Sequence, residues 1–289
     1  MDRRAERGLE LLREIWALLR EDKQLLLFPI LSFAACAVVL ASFLLPVAFH
    51  PDALGQAASV LGGHAAHRPD RLVYLALFAM YLASYSIAVF FNVGLVSCAL
   101  IRFRGGRPTL RDGLGAAWAS LPQILAWALV AATVGVVLRT VEERVRLVGR
   151  IVIGLVGLAW SVVTLLVVPI LAAEHLGPFA AARRSAELLR RSWGESLTGQ
   201  ISLGAIGFVL GLPGVALLVA GLYTGVVAHD TLLAGLALGA GGLYLTALSI
   251  LTSTLREILV TAAYLYAAEG TVPRGFSDHL LRDAFRAVP

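Results

Sequence analysis

"TLLAGLALGAGGLYLTALSILTSTLREILVTAAYLYAA" (residues 231–268) decides the class of this fold. Its only charged side chains are the adjacent Arg256 and Glu257. As one α-helix the stretch would be ~57 Å long at 1.5 Å per residue. About 20 apolar residues already cross the ~30 Å of hydrocarbon in a bilayer. The segment is therefore long enough to span a membrane with turns to spare, and the charged pair falls where the surplus begins.

Working outward, five further apolar runs meet the same length criterion or approach it: Leu25–Phe49, Leu72–Leu100, Pro122–Leu138, Ile151–Ala173 and Leu197–Tyr223. With Thr231–Ala268 they make six predicted spans. The 289-residue chain is 58% hydrophobic with a mean hydropathy of +0.81, well above the roughly 45–50% apolar content of soluble domains. A soluble helical core would need a polar face on each long segment, and most segments have none. The sequence predicts an all-α integral membrane protein, a single membrane domain over residues 1–289 with six transmembrane helices.

The first 24 residues carry six acidic and six basic side chains, with no small-residue cleavage motif after the first apolar run. They do not read as a cleavable signal, so the first span is expected to be retained. Orientation follows from the distribution of Lys and Arg. Eighteen lie in the N-terminal segment, the connections 101–121 and 174–196, and the region from residue 252 onward, against six on the other side. Both termini are expected in the cytoplasm, with the arginines of 139–150 as the discordant patch. The net charge of +5 is thus a signature of membrane orientation, and nucleic acid is not an expected partner.

Three segments preceding alternate spans resemble one another: "AERGLELLREIWALLRED" (5–22), "RPTLRDGLGAAWASLP" (107–122) and "GPFAAARRSAELLRRSWGE" (177–195). Each has helical periodicity and a tryptophan near its end (Trp16, Trp118, Trp193). In the first, Leu9, Leu12, Trp16 and Leu19 share a face opposite Glu6, Arg13, Glu14 and Arg20. In the third, Phe179, Ala182, Ala186, Leu189 and Trp193 form the apolar face, with Arg183, Arg184, Glu187, Arg190 and Arg191 opposite. Thr109 with Asp112 three residues on resembles a capping box, and Pro178 suits a first helical turn. The expected unit is an amphipathic helix followed by a two-span hairpin, repeated over 5–100, 105–173 and 177–268, with a terminal amphipathic copy at 271–289. Two spans per unit keep every copy in the same orientation, which predicts parallel repeats about the membrane normal. The plainest role for the amphipathic helices is a cytoplasmic collar on the bundle or at the headgroups; a docking surface for a protein partner is the sharper alternative.

Arg256 and Glu257 are the leading candidates for a polar site within the membrane, with Asn92 and Gln200 as polar residues on other spans. Arg256 lies 13 residues from Glu269, ~19 Å along a helix, past the midplane if that end marks the boundary. Charges so deep cost at least ~2.5–3.5 kcal/mol and usually face a bundle interior. The alternative ends the span near residue 252 and lets Arg256 snorkel at the cytoplasmic interface. Asn92 reads more plainly as an interhelical hydrogen-bond former. The pairs Gly207–Gly211, Gly221–Gly225 and Gly235–Gly239 fit small-xxx-small helix packing, and Pro213 is expected to kink the fifth span.

No metal site is expected: His64 and His67, with His50, Asp52 and Asp70 nearby, supply too few converging ligands for zinc. Cys36 and Cys98 both fall inside spans and imply no disulfide framework. Walker A, HExxH, GxSxG and strand-borne GxGxxG motifs are all missing. No catalytic residues and no cofactor are expected, and the reading is non-enzymatic; the oligomeric state is not readable from one chain.

"EDKQLLLFPILS", "FFNVGLVSCAL", "RSAELLRRSWGE" and "YLYAAEGTVPRGFSDHLLRDAFR" resemble, in order along nearly the whole chain, the bacterial membrane family known as domain of unknown function 6159. The resemblance implies a six-helix protein of the bacterial inner membrane and carries no activity, substrate or functional residue. Arg256 and Glu257 depart from the less charged stretch it implies, so it gives the pair no family-wide role. The function expected is a membrane scaffold or accessory protein that engages membrane lipids, or a protein partner, through its collar. The alternative is a small-solute transporter or channel with a polar site near Arg256 and Glu257.

Overall fold

Nine α-helices account for nearly all the described residues, which in this computed structural model are 19–20, 22–48, 71–145, 147–191, 196–271 and 273. A short 3-10 turn, Lys23–Leu26, leads into α1 (Leu27–Ala48). The others are α2 (Arg71–Phe103), α3 (Leu110–Ala119), α4 (Leu121–Arg144), α5 (Leu147–Val163), α6 (Val167–Glu174), α7 (Pro178–Arg191), α8 (Ser196–Val226) and α9 (Thr231–Glu269). Among the described residues, six segments are long and apolar enough to cross a membrane, one for each span expected from the sequence. The protein is a helical multi-pass membrane protein.

Two boundaries differ from expectation. The third span, expected to stop at Leu138, continues as helix to Arg144. The fourth, expected as one helix over Ile151–Ala173, is broken: α5 ends at Val163 and α6 begins at Val167. Pro169 explains the break, because it cannot donate to the carbonyl of residue 165 and its ring crowds that turn. The chain passes through a tight turn instead, with Leu165 N bonded to Val162 O and Val167 N to Thr164 O, each at 3.1 Å.

Packing within the chain groups into two compact units. The first comprises residues 1–27, 98–109 and 187–289. Its centre is the α8–α9 hairpin, whose register is fixed by small residues. Cβ atoms added to Gly225, Gly221, Gly214, Gly211 and Gly207 would meet Ala234, Leu238, Leu245, Leu248 and Thr252 in turn. Backbone approaches backbone closely at two levels: a Cβ on Gly221 would lie 3.0 Å from Leu238 N, and one on Gly241 would lie 3.1 Å from Gly214 O. Gly235 and Gly239 face open space, so that predicted pair is not a packing motif; the helix turns it away from α8. Pro213 lies inside continuous helix, and within its turn the Tyr244 hydroxyl donates to Leu210 O at 2.7 Å. The carbonyl that Pro213 leaves without its helical donor is that of Val209, one residue earlier. Asp230 caps α9 by accepting from Leu233 N, and Gly270, at φ 66°, closes its other end.

Ion pairs gather at one end of this unit. Arg102 Nε meets Asp22 Oδ2 at 2.9 Å, and Arg104 Nη2 meets Glu269 Oε1 at 2.7 Å. They join the end of α2 to the start of the first span and to the end of α9. All four side chains are partly solvated, so each pair contributes about 1 kcal/mol or less.

The second unit comprises residues 28–97 and 110–186. Trp127 and Trp160 stack across α4 and α5 with centroids 5.9 Å apart. α3 lies close on α2 at a glycine crossing: a Cβ on Gly94 would sit 2.6 Å from the Phe28 ring and 3.3 Å from Gly113 O. Buried side chains here include Val93, Val96, Ala117, Ile124, Ile170 and Leu171. The outward faces of α4 and α5 remain apolar, with Leu129, Val137, Ile151 and Leu158 exposed, as suits helices in lipid.

Candidate functional site

The short helices α3 and α7 carry the features that set this molecule apart from a plain bundle. α3 starts at Leu110, which puts Thr109 at its N-cap position and Asp112 in its first turn. α7 starts at Pro178, as expected. Each precedes a helical hairpin, α3 before α4–α5 and α7 before α8–α9.

α7 docks by a face rotated from the one expected. Of the expected set Leu189 is buried and Ala182 and Ala186 are half-buried, but Phe179 is 76% exposed, and Ala181, Ser185 and Leu188 are buried instead. The rotation has a local cause. The break before α6 leaves the backbone N–H of Leu166 without a helical acceptor, and the fully buried Ser185 hydroxyl takes it at 3.2 Å. Placing a hydroxyl there outweighs turning Phe179 inward, because a backbone donor orphaned in an apolar core costs about 1–3 kcal/mol. Glu174 and Arg184 then clasp the turn, with Arg184 Nε 3.3 Å from Glu174 Oε2. His175, in the left-handed region at φ 50°, lies 3.0 Å by Nδ1 from the buried Ser120 hydroxyl at the α3–α4 junction. The turn leading into α7 and the turn leading into α4 are thus joined by one hydrogen bond.

α3 buries Gly113 and Ala117 and leaves Trp118 70% exposed. The indole stands edge-on to Phe90 of α2 at 6.2 Å. Phe90 is one helical turn from the Gly94 crossing of the two helices. They leave an open, almost wholly apolar groove lined by Phe90, Leu110, Arg111, Leu114, Gly115 and Trp118.

The four sequence candidates fare unevenly. Arg256 is exposed and Glu257 half-buried on α9. Around them Thr254, Leu255 and the run Ile258–Leu265 are buried. Glu257 O accepts from the Thr261 hydroxyl at 2.6 Å, while its carboxylate has no hydrogen bond or ion pair among the described residues. Gln200 lies on α8, its side chain outside those described. By the hairpin register it falls within about a turn of Arg256 and Glu257 in level. Asn92 belongs to the second unit, half-buried and without a hydrogen bond among the described residues.

Sequence reasoning chose Asn92 and passed over Gly94, two positions on, which makes the close contact. It singled out Trp118 but not the groove beside it; the glycines at 113 and 115, on a helix only ten residues long, were the available signal. The first amphipathic segment up to residue 18, the loop bearing His50, Asp52, His64, His67 and Asp70, Trp193, and the tail from residue 274 lie outside the described residues. Of that first segment's apolar face, Leu19 is described and buried. Among the described residues no three His, Cys, Asp or Glu are grouped as metal ligands, and both cysteines are free thiols.

Residues 71–275, from the start of α2 past the end of α9, match a family of unknown function, DUF6159. The chain belongs to that family. The matched region of DUF6159 takes in α3, α7, the Gly94 crossing and all of the α8–α9 hairpin. No curated protein and no solved structure matches the chain, so DUF6159 membership supports the architecture and brings no activity with it.

Proposed function

We propose that this chain is a non-enzymatic scaffold or accessory protein of the bacterial cytoplasmic (inner) membrane, with both termini in the cytoplasm. Its amphipathic helices form a collar there that engages lipids or a protein partner. One observation carries the reading: α3 buries Gly113 and Ala117 and α7 buries Ala181, Ser185, Leu188 and Leu189, while the aromatic Trp118 and Phe179 are left facing outward. Aromatic side chains in that position suit the headgroup level of a bilayer. The recurrence of short helix then hairpin at α3–α5 and α7–α9 supports parallel repeats, with residues 5–100 as a third copy.

The hairpin register supports an interfacial position for Arg256. Among the side chains described on α8, large exposed apolar ones run from Phe208 to Val226, ~28 Å of helix, close to the hydrocarbon thickness. Gly207 is level with Thr252, so Arg256 lies a turn beyond the band. Purification from native membranes together with flux measurements in proteoliposomes tests the proposal. A recurrent protein or lipid companion with no solute flux is the expected result; flux with no companion would overturn it.

The second reading, a small-solute transporter or channel with a polar site near Arg256 and Glu257, draws on the half-buried Glu257 carboxylate that has no partner among the described residues. It requires Arg256→Ala and Glu257→Gln to alter flux at unchanged expression. Unchanged flux in both removes it.

A further inference from the structure

We propose that the groove between α3 and α2 is a site for one anionic glycerophospholipid, its acyl chain along Phe90, Leu114, Gly115 and Trp118 and its phosphate on Arg111. This rests on α3 lying at the membrane interface and goes beyond a general collar by naming a discrete site. Three observations carry it. The groove has fixed walls: the Gly94–Gly113 crossing brings the two helix backbones together at one level, and one turn away the Phe90 and Trp118 rings, in edge contact, line it. Nothing lies within 4 Å of a Cβ on Gly115, so α3 presents a smooth floor wide enough for a hydrocarbon chain. Arg111 lines the same groove, is exposed, and has no hydrogen bond or ion pair among the described residues.

An acyl chain suits this lining, since burying CH2 groups on Phe and Leu surfaces is favourable and asks for no polar partners. A guanidinium at the rim suits a phosphate, which it can hold by two parallel N–H···O bonds. The two chemistries occur together in a phospholipid. A hydrophobic peptide would leave backbone groups unpaired against the apolar walls, and free phosphate would leave the groove unfilled.

The test uses the full-length chain in nanodiscs of zwitterionic lipid doped with a phosphatidylglycerol bearing a diazirine in mid-chain. Photolabelling is read by peptide mapping, with competition by unlabelled phosphatidylglycerol or phosphatidylcholine. Labels are expected on the peptides holding Phe90 and residues 110–118, displaced by phosphatidylglycerol about fivefold better than by phosphatidylcholine, the advantage of one arginine near an anionic headgroup. Gly115→Leu fills the floor and should abolish the label. Gly154→Leu, also into open space on α5, should leave it intact. Arg111→Gln should remove the headgroup preference while keeping the label. Labelling spread evenly over all spans, or unmoved by Gly115→Leu, would overturn the site. Failure of the interfacial placement itself reads out separately, as Trp118 fluorescence quenched by an aqueous quencher and not by brominated lipid. The Trp118 signal is taken as the difference from Trp118→Phe.

Discussion

The Ser185 hydroxyl stands where the helical ladder of the fourth hydrophobic segment stops. Its acceptance of the Leu166 N–H makes a short amphipathic helix part of the span's own hydrogen bonding. Ser185→Ala leaves that donor buried and unpaired, so it is expected to lower stability by about 1–3 kcal/mol, seen as a reduced thermal midpoint in nanodiscs. Ser185→Thr, which keeps the hydroxyl, should recover part of the loss. Arg256→Ala is expected to move the same midpoint little, within about 0.5 kcal/mol, because the side chain is exposed and makes no described contact; a loss above about 2 kcal/mol would place it in a packed network instead. Pro169, the residue that creates the need for Ser185, was visible in the sequence. The partner was not, because a serine seven residues into an arginine-rich helix carries no mark of its distant acceptor role. The apolar periodicity pointed α7 the wrong way for the same reason: Phe179 is its largest hydrophobe, and a backbone donor elsewhere decided the face.

Among the elements, the α8–α9 hairpin gives the clearest distinction between glycines that look alike in sequence. Gly221→Leu would force a side chain onto Leu238, whose backbone N lies 3.0 Å from where the new Cβ would sit, and Gly241→Leu would press on Gly214 O at 3.1 Å. Each is expected to cost about 1–3 kcal/mol through overpacking. Gly235→Leu and Gly239→Leu point into open space and should be near neutral. Thermal unfolding of the four variants under one lipid condition checks the ranking, and equal losses in all four would refute this register. Spacing alone flagged the pairs at 221–225 and 235–239 alike. It could not separate them, since which face of a helix meets its neighbour depends on crossing angle and on partners such as Leu238 and Leu245 that carry no motif.

For the whole molecule, the six apolar segments were legible from length and hydropathy, because hydrocarbon thickness imposes one scale on any chain that crosses it. Cysteine accessibility tests the orientation derived from the arginines. In a background lacking Cys36 and Cys98, Arg107→Cys should react only with a reagent applied from the cytosolic side, and His229→Cys only from the opposite side. The reverse pattern would invert the collar and move α3 and α7 to the other leaflet. The groove at α3 left only a faint signal, Gly113 and Gly115, because spacing within one helix does not say which neighbour its glycines face.

α9 continues for 39 residues, mostly exposed over its first half and largely buried from Thr254 to Leu265, with no glycine or proline after Gly242. A helix without such breaks has no natural hinge. When the surrounding bilayer thickens or thins, the part of α9 beyond Gly242 moves as one rod, and a lean of ~10° carries its far end through ~4–5 Å over the last ~17 residues at 1.5 Å each. Membrane thickness is thereby converted into sideways travel at the clamped end, beside Arg104 and Glu269.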